Sequence, residues 1–166
     1  MKKILGIMFV GIVLVAGVFV HNSIYSISEE NIKQNIQESL NNKECKLEFL
    51  KEECINGGKA IIFSTNDDES DMSLAILDKG LNKQYRVVRV INGSNRYTTY
   101  KKYLLNEYII EAGDNRSGDL SYIGVTNGDK EIKKINIEKD FFIKFINIDK
   151  LDGYNFYNNE NKVVDI

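Results

Sequence analysis

The sequence predicts a mainly β protein: an antiparallel β-sandwich or barrel-like domain with one N-terminal amphipathic helix, preceded by a single transmembrane or signal helix. Three observations predict this class. Ile4–Val20 is apolar throughout, apolar side chains recur every four positions in residues 28–41, and from Lys43 onward short apolar runs alternate with turn signals. A four-residue spacing is typical of an amphipathic helix, whereas alternation is typical of half-buried strands.

The apolar run Ile4–Val20 directly follows Lys2 and Lys3. A helix with apolar side chains on every side is either deeply buried or in lipid. At a rise of about 1.5 Å per residue the run spans roughly 25 Å, close to the ~30 Å hydrocarbon core of a bilayer. We therefore expect it to bind the lipid bilayer, with the two lysines in the cytoplasm and the chain after His21 outside.

A cleaved signal peptide is the alternative to a retained anchor. Signal peptides have an apolar region of about 7–15 residues, followed by small residues at the cleavage site. The run here is longer, Ala16-Gly17-Val18 ends in valine, and Ser26-Ile27-Ser28 lies well beyond the run. These features favour an uncleaved anchor, whereas cleavage would release a secreted soluble domain.

We expect three segments: an anchor or signal at 1–21, a linker and amphipathic helix at 22–42, and an extracytoplasmic β-rich domain at 43–166. In the second segment Ser26 and Glu29 have the spacing of a capping box. The pattern predicts a helix over about 28–41 that lies on the sheet; a stalk or partner helix is the alternative. Its apolar positions are Ile32, Ile36 and Leu40.

The β-rich segment contains about nine or ten short strands, separated by turn signals at ~8–12-residue intervals, as in antiparallel sandwiches and barrels. Because the chain has no proline, Gly, Asn and Asp must make the turns. We interpret the polar residues Asn66–Asp71 as a loop. The glycine-containing turn signals are Gly57-Gly58, Asn92-Gly93, Asn127-Gly128 and Asp152-Gly153.

Composition argues against several function classes. A formal net charge of −2 gives no basic footprint for a nucleic-acid partner. His21 is the only histidine, so the β-rich segment has no imidazole for a Ser-His-Asp triad, a Cys-His pair or a histidine-ligated zinc. Neither a P-loop nor a GxGxxG motif is present. We therefore predict no catalytic, cofactor-binding or metal-binding residues and no enzymatic activity.

Two sets of residues allow more than one interpretation. Cys45 and Cys54 form either a disulfide or two free, apolar side chains. In one extended strand about 30 Å would separate them, whereas a disulfide needs Cα atoms within about 7 Å. Acidic clusters are either Ca²⁺ ligands or solvated hairpin loops, and turn chemistry favours loops. These clusters are Asp67, Asp68, Glu69 and Asp71 and, more weakly, Asp114, Asn115 and Asp119.

The densest aromatic group contains Tyr97, Tyr100 and Tyr103, with Tyr108 close by. A tyrosine offers a flat apolar ring with a polar tip, which suits stacking on a sugar or anchoring a protein partner. We predict these four residues as a possible ligand or partner surface. Aromatic packing on and between strands is the alternative, because tyrosine is favoured in strands in any case.

Three stretches carry a resemblance: Gly58–Phe63, Tyr108–Asn115 and Lys133–Ile137. Through them the chain resembles small, mostly uncharacterised exported or membrane-anchored proteins of low-GC Gram-positive bacteria. Those proteins combine one N-terminal hydrophobic segment with a short helix and a β-rich domain of about this length. The resemblance implies a location and a fold class, and it brings no activity and no functional residues.

Together these inferences predict a single-pass membrane-anchored protein whose extracytoplasmic β-domain is a binding or envelope-interaction module. Its expected partners are the bilayer, through Ile4–Val20, and an envelope protein or glycan. The secreted soluble domain is the first alternative. The second is a hydrolase of envelope glycans that uses two carboxylates across a cleft.

Overall fold

The structure is a computed structural model. It describes residues 2–40, 45–55, 57–65, 68–103, 106–128, 130–148 and 152–164, with the backbone alone at 2–9, 68–71, 103 and 106. Helix α1 covers Lys2–Ile24, a 3₁₀ turn covers Glu29–Asn31, and helix α2 covers Ile32–Ser39. The strands are β1 Leu47–Ile55, β2 Gly58–Thr65, β3 Asp68–Lys79, β4 Tyr85–Asn92, β5 Arg96–Tyr103, β6 Asn106–Asp114, β7 Tyr122–Asn127, β8 Lys130–Asn136, β9 Phe141–Asn147, β10 Gly153–Tyr157 and β11 Val163–Val164.

The described strands form three antiparallel sheets. The first sheet has the order β1-β2-β3-β4, the second β5-β6-β9 and the third β11-β10-β7-β8. The predicted antiparallel, mainly β class is therefore confirmed, but the sheets do not close into a barrel. The predicted turn at Asn92-Gly93 has Gly93 at φ 77° and carries the chain from the first sheet to the second rather than closing a hairpin.

The first sheet is covered on both faces. On one face Ile62 and Leu74 pack with Ile110 and Ile143 of the second sheet. On the other face lie Ile61 and Phe63, among the residues that α2 covers. Because successive strand residues point to opposite faces, two-sided cover explains why β2 is buried from Gly58 to Ser64 rather than at alternate positions.

The second sheet is the middle layer of the three. Phe142 and Ile146 of β9 point away from the first sheet and pack with Ile123 and Phe156 of the third. The order of layers is therefore α2, first sheet, second sheet, third sheet. Burying a large aliphatic or aromatic side chain stabilises a fold by about 1.5–3 kcal/mol, so these three apolar interfaces hold the layers together.

The amphipathic helix lies on the sheet as predicted, but it is shorter than 28–41. The chain enters it through the 3₁₀ turn, and α2 ends at Ser39. Ile32 and Ile36 are 2% and 0% exposed against the first sheet. The predicted capping box of Ser26 and Glu29 is wrong. The 3₁₀ turn begins at Glu29, so Ser28 rather than Ser26 is its N-cap residue, and Ser28 makes no side-chain cap bond. Glu29 forms an ion pair with Lys59.

The predicted loop at Asn66–Asp71 is too long. Strand β3 begins at Asp68, because the pairing of β2 with β3 extends to the pair Thr65 and Asp68. Asn66 and Asp67 lie outside the described residues. By contrast, the hairpin predicted at Gly57-Gly58 joins β1 to β2, with Gly57 at φ 81°.

Helix α1 leaves its apolar side chains uncovered from Val10 onward. Leu14 is 65% exposed and Phe19 is 78% exposed. Over the part of the chain whose side chains the structure describes, no helix combines the length and apolar character that crossing a membrane requires. The two cysteines are free thiols; Cys45 is buried and Cys54 exposed.

Gly58 occupies a gap that only glycine fits. A Cβ atom there would lie 2.1 Å from both the Leu77 carbonyl oxygen and the Lys101 Nζ atom. We expect Gly58→Ala to lower the free energy of unfolding by about 1–3 kcal/mol, because the backbone of β3 cannot yield without breaking its ladder.

Gly153→Ala is the matched control, since its nearest contact would be Thr126 Oγ1 at 3.4 Å. Urea unfolding of the purified full-length protein in detergent micelles measures both variants. Equal stability of the two variants would show that the gap beside Gly58 is not tight.

Candidate functional site: a basic groove between β4 and β5

A groove of about 210 Å³ lies where β4 of the first sheet faces β5 of the second. The sheet switch at Asn92-Gly93 brings these consecutive strands together from different layers. Four basic residues and one acidic residue line the groove, together with a threonine, a tyrosine and two aliphatic residues. They are Arg86, Arg89, Lys101, Lys102, Asp78, Thr99, Tyr100, Ile76 and Val88.

The charge of this groove has a signature in the sequence that overall composition does not reveal. No Asp or Glu occurs between Asp78 and Glu107, although the intervening residues carry seven cations. The acidic remainder of the chain conceals this segment in the net charge of −2. The seven cations are Lys79, Lys83, Arg86, Arg89, Arg96, Lys101 and Lys102.

Asp78 organises the inner end of the groove. Its carboxylate binds Arg86 Nη2 at 2.8 Å and Lys101 Nζ at 3.1 Å, so two cations share one anion. The Lys101 ammonium also donates to the Leu77 carbonyl oxygen at 2.8 Å. Burial lowers the pKa of Lys101, and the hydrogen bond to Asp78 opposes that shift. Lys101 therefore acts as a cross-link between sheets.

Arg89 supplies an exposed positive charge in the groove. Its Nη1 atom donates to Thr99 Oγ1 at 3.0 Å. Among the described residues, the Thr99 hydroxyl is the hydrogen-bond partner of Arg89, and no carboxylate forms an ion pair with Arg89. A guanidinium in this position can offer parallel N–H donors to an oxyanion.

Lys102 and Tyr100 alternate with the buried Thr99 and Lys101 along β5; both are exposed, and both bind Glu107. Lys102 Nζ lies 2.8 Å from Glu107 Oε1. This bond, with a further one from Tyr100, lowers the pKa of Glu107. Tyr100 is 50% exposed and lies at the edge of the groove, on the face of β5 opposite to Lys101.

The structure does not bring the three predicted tyrosines that it describes to one surface. Tyr97 is 5% exposed, and its hydroxyl donates to the Met72 carbonyl inside the core. Tyr108 pairs with Lys101 in the β5–β6 ladder, so it lies on the face opposite to Tyr100. The side chain of Tyr103 lies outside the described residues. Among the three described tyrosines, Tyr100 alone lines the groove.

The second acidic cluster is engaged in turn structure. Asp114 forms an ion pair with Arg116 at 2.7 Å, which lowers the pKa of Asp114. The Asn115 amide donates to the carbonyls of Leu120 and Glu138 at 2.9 and 2.8 Å. In the first cluster, Asp67 and the side chains of Asp68, Glu69 and Asp71 lie outside the described residues. Elsewhere in the described chain no three His, Cys, Asp or Glu side chains group as metal ligands.

Glu111 is a buried carboxyl of the kind that a glycan hydrolase uses as its acid. It is 4% exposed, and burial raises its pKa. Its oxygens accept hydrogen bonds from Tyr154 at 2.5 Å and Thr98 at 3.0 Å. The charged group that acts on it is Arg96 rather than a second carboxylate. Glu111 therefore sits in an interlayer hydrogen-bond network and not across an open cleft.

Comparisons with protein-family models, with characterised proteins and with solved structures give no match to this chain. The chemistry of the groove therefore carries the functional argument.

Glu111 makes stability depend on pH in a defined direction. Because its folded-state pKa is raised above the ordinary 4.5, the folded state holds this proton more tightly than the unfolded state. Its contribution to stability is present below the unfolded pKa and is lost as pH rises through the folded pKa. We expect Glu111→Gln to raise the melting temperature at pH 7 relative to the parent, and by more than at pH 4.

Glu107→Gln is the control on the same strand and should show the opposite sign. Lys102 lowers the pKa of Glu107, so that carboxylate stabilises the fold above its unfolded pKa. Melting curves of both variants at pH 4 and pH 7 measure the two effects. An identical pH response in both variants would contradict the assignment of Glu111.

Proposed function

We propose that this protein is a membrane-anchored binding module whose extracytoplasmic β-domain captures an anionic group in the basic groove. The observation that carries the proposal is the pair of cations, Arg86 and Lys101, on the single carboxylate of Asp78. Arg89 lies beside them and has a hydroxyl rather than a carboxylate as its partner among the described residues. The fitting ligand is an oxyanion, a phosphate or carboxylate, presented by an envelope polymer or an envelope protein.

The anchor is supported by the sequence and by the exposure of α1. Lys2 and Lys3 precede the apolar run Ile4–Val20, and Leu14 and Phe19 remain uncovered by the β-domain. In water, exposed apolar surface costs roughly 25 cal/mol per Å², so contact with lipid stabilises such a helix. Under the positive-inside rule, the two lysines support a β-domain outside the cell.

The groove suits binding better than catalysis. Catalytic lysines need a free amine, whereas the Lys101 ammonium is bound to Asp78 and to the Leu77 carbonyl. A volume of about 210 Å³ is below the usual ~300–1,000 Å³ of small-molecule sites. A volume of this size suits one charged group of a larger ligand.

Arg89→Ala tests the groove. Full-length protein in nanodiscs of zwitterionic lipid is titrated with fluorescent polyphosphate and, separately, with fluorescent polyglutamate. We expect one of the two polyanions to bind, and Arg89→Ala to weaken it about five-fold, equal to ~1 kcal/mol for an exposed charge pair. The preferred polyanion identifies the ligand group as phosphate or carboxylate.

Lys133→Ala removes the same charge from exposed strand β8 and should leave the affinity unchanged. If both variants weakened polyanion binding equally, the effect would come from the net charge of the protein, and a binding site at the groove would be contradicted. The anchor is tested separately by the intact mass of the chain in carbonate-washed membranes. A shortened chain in the culture medium would favour the secreted alternative.

A further inference from the structure

The turn between β3 and β4, residues 80–84, is fixed against the end of helix α1. Asn82 Nδ2 lies 2.8 Å from the Tyr25 carbonyl oxygen and 3.2 Å from Asn22 Oδ1. The Leu81 amide donates to His21 Nε2 at 3.4 Å. These bonds join the β-domain to the residues that directly follow the apolar run.

Ring contacts complete the junction. Tyr25 stacks on His21 with centroids 4.7 Å apart, and the Arg86 guanidinium lies 5.1 Å from the Tyr25 ring centroid. Gly80 is required for this approach, because a Cβ atom there would lie 2.6 Å from the Tyr25 ring. The position of the turn relative to α1 is therefore defined by packing as well as by hydrogen bonds.

At the tip of this turn an apolar side chain projects into open space. Leu81 is 93% exposed, the highest value among the described large hydrophobic residues. Lys79 and Lys83 flank it and are exposed too. An uncovered leucine between lysines is the arrangement that favours insertion at an anionic lipid surface.

We infer that this turn is a second membrane contact, with Leu81 in the outer leaflet and Lys79 and Lys83 facing lipid phosphates. The inference rests on the proposed anchoring of α1. His21 directly follows Val20, so it marks the level where the hydrocarbon core ends. The polar layer on each side of a bilayer is about 5–8 Å thick, and the Leu81 amide nitrogen lies 3.4 Å from His21.

Two attachment points fix the orientation of the β-domain. Arg86 belongs both to the junction, through Tyr25, and to the basic groove, through Asp78. The groove is thereby held near the bilayer surface, where it meets ligands that are themselves attached to the membrane or lie against it.

The variant Leu81→Trp tests this inference, because the natural chain contains no tryptophan and the introduced indole is the only one. The full-length variant is placed in nanodiscs containing phosphatidylglycerol, with doxyl labels at acyl carbon 5 or at the headgroup. We expect the acyl label to quench the fluorescence of the introduced indole. The control is Ile132→Trp, since Ile132 is 54% exposed on strand β8 of the third sheet and its replacement should not be quenched.

The role of lipid charge is tested with Lys79→Gln and Lys83→Gln together in the Leu81→Trp background. We expect this variant to lose the additional quenching that phosphatidylglycerol gives over phosphatidylcholine. Quenching in Leu81→Trp no stronger than in Ile132→Trp overturns the inference. A second result would also overturn the inference: a blue shift of the Leu81→Trp emission that depends on the number of protein molecules per nanodisc and not on the lipid. That result would show that Leu81 contacts a second copy of the chain.

Flotation of each nanodisc or vesicle sample separates this inference from the proposed function. A protein that floats with the lipid but shows no quenching at position 81 retains its anchor and lacks the second contact. A protein that does not float with the lipid would contradict the proposed membrane anchor itself.

Discussion

The buried Lys101 ammonium is the interaction on which the geometry of this protein depends. It extends from β5 of the second sheet to the Leu77 carbonyl and the Asp78 carboxylate of β3 in the first. A buried charge without a partner costs several kcal/mol, so the two sheets are confined to the separation at which both bonds form. Gly58 leaves the space for this side chain, and Asp78 in turn orients Arg86. The same bonds that set the spacing of two layers therefore also shape the basic groove.

The layered arrangement explains which polar residues are buried. A sheet covered on both faces has no solvated side, so polar side chains on its strands must find partners inside. Lys59 pairs with Glu29 and Glu52, and Glu111 accepts from Tyr154 across to the third sheet. These bonds join neighbouring layers at defined positions. Apolar packing alone is not directional and would not fix the position of one layer relative to the next.

The turn between β3 and β4 connects the β-domain with the end of α1. Asn82 donates to Asn22 Oδ1 and to the Tyr25 carbonyl, so hydrogen bonds join the β-domain to the end of the helix. An electrostatic surface attracts its partners over about 8–10 Å at physiological ionic strength. Under the proposed anchoring, the basic groove would lie within this distance of the charged envelope groups that it is proposed to bind.

Features that depend on neighbouring residues could be predicted from the chain alone. The apolar run, the amphipathic spacing of α2, the alternation of the strands and the glycine turns are local patterns, and the acid-free segment between Asp78 and Glu107 is visible in the sequence as well. Long-range packing established which strands share a sheet, and hence that Tyr97 is buried while Tyr100 lines a groove. The difference arises because sheet pairing and face-to-face packing join residues far apart in the chain. Local periodicity shows that a strand has an apolar face, but only the partner layer determines what covers that face.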